Sequence, residues 1–238
     1  MTPRRHLALA FAIWAVLSVL GVAAVVGIQI LPIVASREAV VVDRALVALT
    51  VVSVPVLVFV VVGMLYSAIR FRAGDDDAEG PPIHGHRRLE AGWVIGTFVM
   101  VIGLAAYGTI GLLEIRGEQL ADLEVRADAK QWQWEFDYPG LGIASEELVL
   151  PVGQRIRITV ISEDVVHSFS VPAFGVKQDA VPGRETQLYV TPTLTGKYGI
   201  QCAELCGLGH TRMVASVTVM EPAEFDAWVA LQPPQTGD

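Results

Sequence analysis

Three stretches of this chain carry no Asp, Glu, Lys or Arg: His6 to Ser36, Ala45 to Ile69 and Ala91 to Leu113. Each is long enough to cross a hydrocarbon core, which takes about 20 helical residues. One such run can be a buried helix of a soluble protein; three in succession predict membrane spans. After Glu114 the pattern changes. Leu123, Val125 and Ala127 alternate with Glu124, Arg126 and Asp128. Ile156, Ile158 and Val160 alternate with Arg155, Arg157 and Thr159, and Val217 and Val219 with Ser216 and Thr218. A period of two with β-branched residues predicts half-buried strands. Turns are predicted at Pro151-Val152-Gly153, Val181-Pro182-Gly183 and Leu194-Thr195-Gly196. Several short strands so punctuated predict an antiparallel sandwich or barrel. A short amphipathic helix is expected around Glu221–Leu231, ending before Pro233-Pro234.

Composition sharpens this division. The chain is 53% hydrophobic, with a mean hydropathy of +0.50, which places it in a membrane class. Arg4 and Arg5 precede the first span and Arg70, Arg72, Arg87 and Arg88 lie between the second and third, against Arg37 and Arg44 between the first and second. The positive-inside rule therefore puts the N-terminus and the 70–90 loop in the cytoplasm. Three spans then deliver everything after Glu114 to the outer side of a bacterial-type plasma membrane. Arg4-Arg5 before an apolar run also fits a signal peptide. The run is longer than a usual signal core and shows no clear small-x-small cleavage site, so a retained signal anchor is expected. The expected organisation is a first span over 1–36, a helical hairpin over 37–117 with its cytoplasmic loop at 70–90, and an extracytoplasmic β domain over 118–238. Within the loop, Asp75, Asp76, Asp77, Glu79, Pro81 and Pro82 read as a solvated connector, and His84 and His86 are assigned nothing. From Glu114 onward 18 Asp and Glu face 9 Lys and Arg. Such a balance steers a basic partner toward the outer domain in a salt-sensitive way and argues against nucleic acid.

The candidate chemistry lies in Cys202-Ala203-Glu204-Leu205-Cys206-Gly207-Leu208-Gly209-His210-Thr211-Arg212-Met213, which holds the only two cysteines of the chain. Two thiolates, an imidazole and a thioether favour copper or zinc over hard cations. Of the five histidines, His167 in Asp164-Val165-Val166-His167-Ser168-Phe169 is the other one in this region. A Cys202–Cys206 disulfide would explain the cysteines alone. A structural zinc would use two Cys and two His and leave Met213 idle. Copper would use all five residues, and two thiolates can bridge two coppers.

Cys-Ala-Glu-Leu-Cys-Gly-x-x-His-x-x-Met, preceded by Asp-Val-Val-His-Ser-Phe, resembles the binuclear copper A site of cytochrome c oxidase subunit II. The resemblance takes in Val171-Pro172, the run Gly175 to Arg184 and the aromatic run Gln131-Trp132-Gln133-Trp134-Glu135-Phe136-Asp137-Tyr138, and covers roughly residues 45 to 230. It implies N-terminal transmembrane helices followed by a cupredoxin-like Greek-key β-barrel. It implies that Cys202 and Cys206 bridge two copper ions, that His167 and His210 each bind one, and that Met213 is a weak ligand. Glu204 is implied to offer its backbone carbonyl to copper and its side chain to a magnesium or manganese ion shared with subunit I. Trp132 corresponds to the ring that receives electrons, with Glu135 and Asp137 near a basic donor. Lys130 stands where the family often has His. Glu90, three residues before Trp93, matches a glutamate at the mouth of a proton-uptake pathway, although the usual proline a few residues on is absent. Lys177, Asp179 and Arg184 match a loop packed against the large subunit. The family usually has a two-helix hairpin, so the first span is extra or a leader.

The implied function is the electron-input subunit of cytochrome c oxidase. It would take electrons from cytochrome c, soluble or membrane-bound, and pass them to haem in subunit I. There O2 is reduced to water, coupled to proton translocation. Subunit I, subunit III and membrane lipid are the further partners implied. A copper A subunit of a nitric-oxide reductase and a membrane-tethered copper carrier are the alternatives. No Cys-x-x-Cys-His is present for a fused haem c, so the donor is expected to be a separate protein.

Overall fold

A computed structural model describes residues 3–28, 32–72, 84–117 and 120–233. Its first half is helical: α1 (Pro3–Gly27), α2 (Arg37–Arg70) and α3 (Arg87–Arg116). All three are long and apolar enough to cross a membrane, and their side chains are largely uncovered by protein, as lipid-facing residues are. The solvated connector expected at 75–82 lies outside the described residues.

The chain divides into two compact units. One comprises Met1–Ile30 and Arg44–Ile110. Within it, Trp14 Nε1 donates to the carbonyl of Pro55 at 2.8 Å, and His6 Nδ1 meets the Tyr66 hydroxyl at 2.6 Å. Pro55 lies inside α2.

The other unit comprises Leu31–Asp43 and Gly111–Asp238. Among the described residues, ten strands form two five-stranded sheets. One contains β1 (Leu123–Lys130), β2 (Gln133–Tyr138), β3 (Ile143–Ser145), β5 (Ile156–Ser162) and β8 (Thr186–Val190), in the order β3-β2-β1-β5-β8. The other contains β4 (Leu148–Pro151), β6 (His167–Val171), β7 (Val176–Ala180), β9 (Gly196–Cys202) and β10 (Val214–Met220), in the order β4-β10-β9-β6-β7. The alternating residues Val125, Ala127, Ile156, Ile158 and Val160 are buried, as are Val217 and Val219. They meet Phe136, Leu148, Leu150, Phe169 and Ile200 in one core. The sheets are mixed rather than wholly antiparallel: β1 runs parallel to β5, and β4 parallel to β10. Period-two patterning reports which face of a strand is covered, and parallel and antiparallel neighbours cover it equally well. The expected tail helix is α4 (Pro222–Leu231), opened by a capping box of Glu221 and Glu224.

A short segment ahead of α2 belongs to this unit. Ala35 N–H donates to the Ala173 carbonyl at 2.8 Å, Arg37 N–H to Thr191 O at 3.0 Å, and Thr193 N–H to Ala35 O at 2.8 Å. Ser36, fully buried, donates its hydroxyl to Phe174 O and accepts the Ala39 N–H, capping α2. Glu38 accepts from Arg155 Nη1 at 2.6 Å and from Thr191 N–H at 2.9 Å. Arg155 Nη2 also reaches the Ile115 carbonyl at 3.1 Å, so one guanidinium joins the first turn of α2, β8 and the end of α3.

Candidate metal centre

Three loops meet at one end of the double sheet: the β1–β2 turn, the β5–β6 loop and the β9–β10 loop. His167 is the first residue of β6 and is fully buried. Cys202 ends β9, and Cys206 follows in the loop. His210 opens a single 3-10 turn closed by Met213, whose N–H donates to His210 O at 3.2 Å. Cys202 N–H in turn donates to Met213 O at 3.0 Å, which pins the two ends of the loop together.

Ligand atoms of His167, Cys202 and Cys206 all lie within 4.8 Å of one another, the one such cluster of His, Cys, Asp or Glu among the described residues. The sulfurs of Cys202 and Cys206 are 3.8 Å apart and both cysteines are free, so the disulfide reading is not what the structure holds. Cys206 Sγ lies 3.7 Å from His210 Nδ1 and 3.8 Å from Met213 Sδ. Glu204 turns its carbonyl to 3.2 Å from Cys202 Sγ, while its side chain is exposed.

The donor set fits a metal. His167 Nε2 is 2.8 Å from Asp164 Oδ1. A carboxylate only accepts, so Nε2 carries the proton and Nδ1 presents a lone pair. Nδ1 is buried with no hydrogen-bond partner, an arrangement that is costly in an apolar pocket and natural for a ligand whose other nitrogen is held by a carboxylate. Burial, followed by the neighbouring Cys202 thiol, pushes the Cys206 thiol up to about 11. A metal bound here therefore displaces protons from sulfur, and its affinity falls at low pH. Burial alone would raise Asp164, but hydrogen bonds from His167 and from the N–H groups of Gln131 and Val165 hold it down at about 2. It stays an anion at neutral pH. The buried thioether of Met213 belongs to the cluster, which suits copper better than zinc.

Trp132 lies across this loop. Its Nε1 is 3.3 Å from the Cys206 carbonyl, and a Cβ placed on Gly209 would come within 2.2 Å of Trp132 Cδ2. The ring is 38% exposed, whereas Trp134, Phe136 and Tyr138 are buried. The aromatic run thus divides into one surface ring and three core rings. Leu205 and Leu208, in the loop that Trp132 lies across, are 78% and 98% exposed. Of the two acids expected near a donor, Glu135 is exposed and Asp137 is half-buried beside Asp128.

The remaining expected site residues lie elsewhere. Glu90, in the first turn of α3, accepts the His86 N–H at 2.8 Å, and His86 Nδ1 caps the helix by accepting the Leu89 N–H at 3.2 Å. Lys177 pairs with Asp179 at 2.6 Å on β7, and Arg184 N–H closes a turn on Val181 O at 3.1 Å. Asp164 and Gln131 stood in the motifs without an assigned role. The available signal was position: Asp164 stands three residues before His167 and Gln131 directly before Trp132.

A membrane-anchored protein with a cupredoxin-like double sheet and a sulfur–imidazole metal centre is the class that fold and site define. Residues 141–220 match the family profile described as cytochrome c oxidase subunit II, periplasmic domain. The chain is 31% identical over 206 residues to the alternative cytochrome c oxidase subunit 2 of Bradyrhizobium diazoefficiens, covering 73% of each protein. It is 29% identical over 253 residues to cytochrome c oxidase subunit 2 of Synechocystis, covering 86% of this chain and 76% of that one. A solved periplasmic domain of subunit II from Bradyrhizobium japonicum is 38% identical, covers 48% of this chain and 94% of its own, and superposes with a TM-score of 0.46. The chain belongs to the cytochrome c oxidase subunit 2 family.

Proposed function

We propose that this chain is the electron-input subunit of a cytochrome c oxidase, with a binuclear copper A centre. The observation that carries the reading is the convergence of two unoxidised thiols, a partnerless buried imidazole nitrogen, a second imidazole and a buried thioether. In this reading Cys202, Cys206, His167 and His210 through Nδ1, Met213 through its thioether and Glu204 through its backbone carbonyl would hold the copper ions. A copper pair held there supplies a one-electron store whose charge is spread over two ions. The chain's own task is to bind, orient and insulate. Asp164 fixes the His167 ring, and the paired loop ends at Cys202 and Met213 hold the sulfur geometry. Trp132, Leu205 and Leu208 offer a cytochrome c an apolar contact, and the acidic surface steers a basic donor toward it. Each encounter moves one electron and breaks no bond in this chain; haem in subunit I receives the electron and O2 is reduced there, coupled to proton translocation. The exposed Glu204 side chain is available to a magnesium or manganese ion at that boundary. Glu90, at the start of α3, is proposed to lie by the proton-uptake side.

The orientation follows the charges of the loops. It is supported by residues 32–43, which share a compact unit with the double sheet and so lie on its side of the membrane. α2 and α3 then leave and return, and α1 starts on the cytoplasmic side. O2 rather than nitric oxide as acceptor is supported by relatives named as cytochrome c oxidase subunits.

The test is metal analysis with electron spin resonance on the oxidase purified from membranes. Two coppers in this chain sharing one unpaired electron are expected, and Cys202→Ser abolishes the shared signal. One copper, or zinc, would overturn the reading.

A further inference from the structure

Gln131 precedes the surface ring Trp132 at the β1–β2 turn and is held at both ends. Its backbone N–H donates to Asp164 Oδ2 at 2.8 Å, on the loop that carries His167. Its side-chain Nε2 donates to the Cys206 carbonyl at 2.7 Å, on the loop that carries both cysteines. A carbonyl oxygen only accepts, so the amide nitrogen and not the oxygen faces it. The same carbonyl takes the indole N–H of Trp132 at 3.3 Å, a longer contact. Asp164 meanwhile holds His167 through its other oxygen at 2.8 Å. One residue therefore ties the turn bearing Trp132 to both segments, through its backbone N–H to the loop of His167 and through its side chain to the loop of the two cysteines. Beneath the indole the loop has no side chain in the way: Gly209 leaves room that a Cβ would fill to 2.2 Å of the ring.

We propose that Gln131 is a positioning residue for electron input, holding Trp132 flat on the Cys206–Gly209 loop; this rests on the electron-input reading above. Without the short amide bond, the turn keeps its tie to Asp164 but the indole is left with the longer contact alone. The ring then lifts toward solvent, and the path from donor to site acquires a gap. Misplacements of about 1 Å are enough to cost up to a hundredfold in rate where geometry governs a step.

The experiment uses the oxidase purified from membranes, as wild type, Gln131→Leu, Gln131→Lys and Trp132→Leu. Copper content and spin resonance are measured first. Hydroxyl-radical footprinting with mass spectrometry then compares labelling of Trp132 with that of the buried Trp134, and turnover is followed with a soluble basic cytochrome c. In Gln131→Leu, copper and its resonance are expected to be unchanged and Trp132 labelling to rise roughly twofold. kcat is expected to fall roughly three- to tenfold with KM unchanged. Gln131→Lys, which restores an N–H donor of similar reach, recovers both readouts. Wild-type labelling and kcat in Gln131→Leu overturn the proposal, and so does loss of copper, which would make Gln131 a structural support of the site. If Trp132→Leu cripples kcat while Gln131→Leu does nothing, the proposal fails and the electron-input reading stands. If Trp132→Leu turns over normally or the wild type holds no copper pair, the reading itself fails and takes the proposal with it.

Discussion

At the scale of single residues, the candidate ligand types were legible because Cys202, Cys206, His210 and Met213 fall within twelve positions of one loop. Local spacing is all that such a loop needs. The parts that depend on three loops meeting were not legible: nothing in the linear order says that Gln131 reaches the Cys206 carbonyl, or that Asp164 holds both the His167 ring and the Gln131 N–H. Met213 allows a test that separates packing from ligation. It is fully buried, with its sulfur 3.8 Å from Cys206 Sγ. Met213→Leu conserves volume and is expected to cost less than about 1.5 kcal/mol of stability. The copper absorption bands and reduction potential should nonetheless shift, which spectroscopy and redox titration would read. Unchanged optical and redox properties in a folded, loaded variant would remove the thioether from the ligand set.

At the scale of elements, the strands were readable from their alternation and the turns from their glycines. Gly153 and Gly183 have φ of 80° and 73° at the predicted turns, a region other residues avoid. The parallel pairings were hidden, because alternation does not encode a neighbour's direction. Also hidden was the seating of α2. Ser36 and Glu38 sit at the edge of an apolar run, where they look like ordinary flanking polar residues, yet both are buried against the double sheet. Glu38→Ala would take from the half-buried Arg155 its carboxylate partner, leaving the contacts to Thr191 and Ile115. We expect a loss of about 3–5 kcal/mol, read as a lowered unfolding midpoint. Gly175→Ala should also destabilise: its φ is 64°, and a Cβ would fall 2.9 Å from Ala39 Cα.

A second clip between elements gives a pH dependence. Glu147 pairs with Lys197 of β9 at 2.9 Å and accepts from Thr218 and Ser216 of β10. The Lys197 hydrogen bond, then that of Thr218, holds its carboxyl below the ordinary glutamate range. A depressed folded value means that the clip stabilises above the ordinary range, about pH 4, and is lost as pH falls through it and below. Denaturation of wild type and Glu147→Gln should therefore differ at pH 7 and converge as the pH falls below the ordinary glutamate range. A constant difference across that range would assign the effect to packing.

At the scale of the whole molecule, charge and hydropathy divided the chain correctly into apolar helices and a β-rich part. They placed residues 32–43 with the helices, whereas backbone pairing puts them with the double sheet. Hydropathy reports the solvent of a residue and is blind to which polar backbone groups pair. The acidic balance of the outer part leads to a further expectation. Association with a basic cytochrome c should slow steeply as ionic strength rises, while electron transfer within the bound complex should not. Stopped-flow mixing at several salt concentrations separates the two, and salt-independent association would remove the steering role.

The strap of residues 32–43 also bears on how the protein is made. The unit that carries the ligands is assembled from two pieces of chain that leave the ribosome far apart in time, with the α2–α3 hairpin between them. In the orientation proposed above, the early piece would wait at the outer surface with its Glu38 carboxylate unmatched until the later piece had been translocated. Closure of this unit is therefore coupled to correct insertion of the hairpin. A chain in which only one helix of the hairpin inserts would leave Arg155 on one side of the membrane and Glu38 on the other, and this unit could not close.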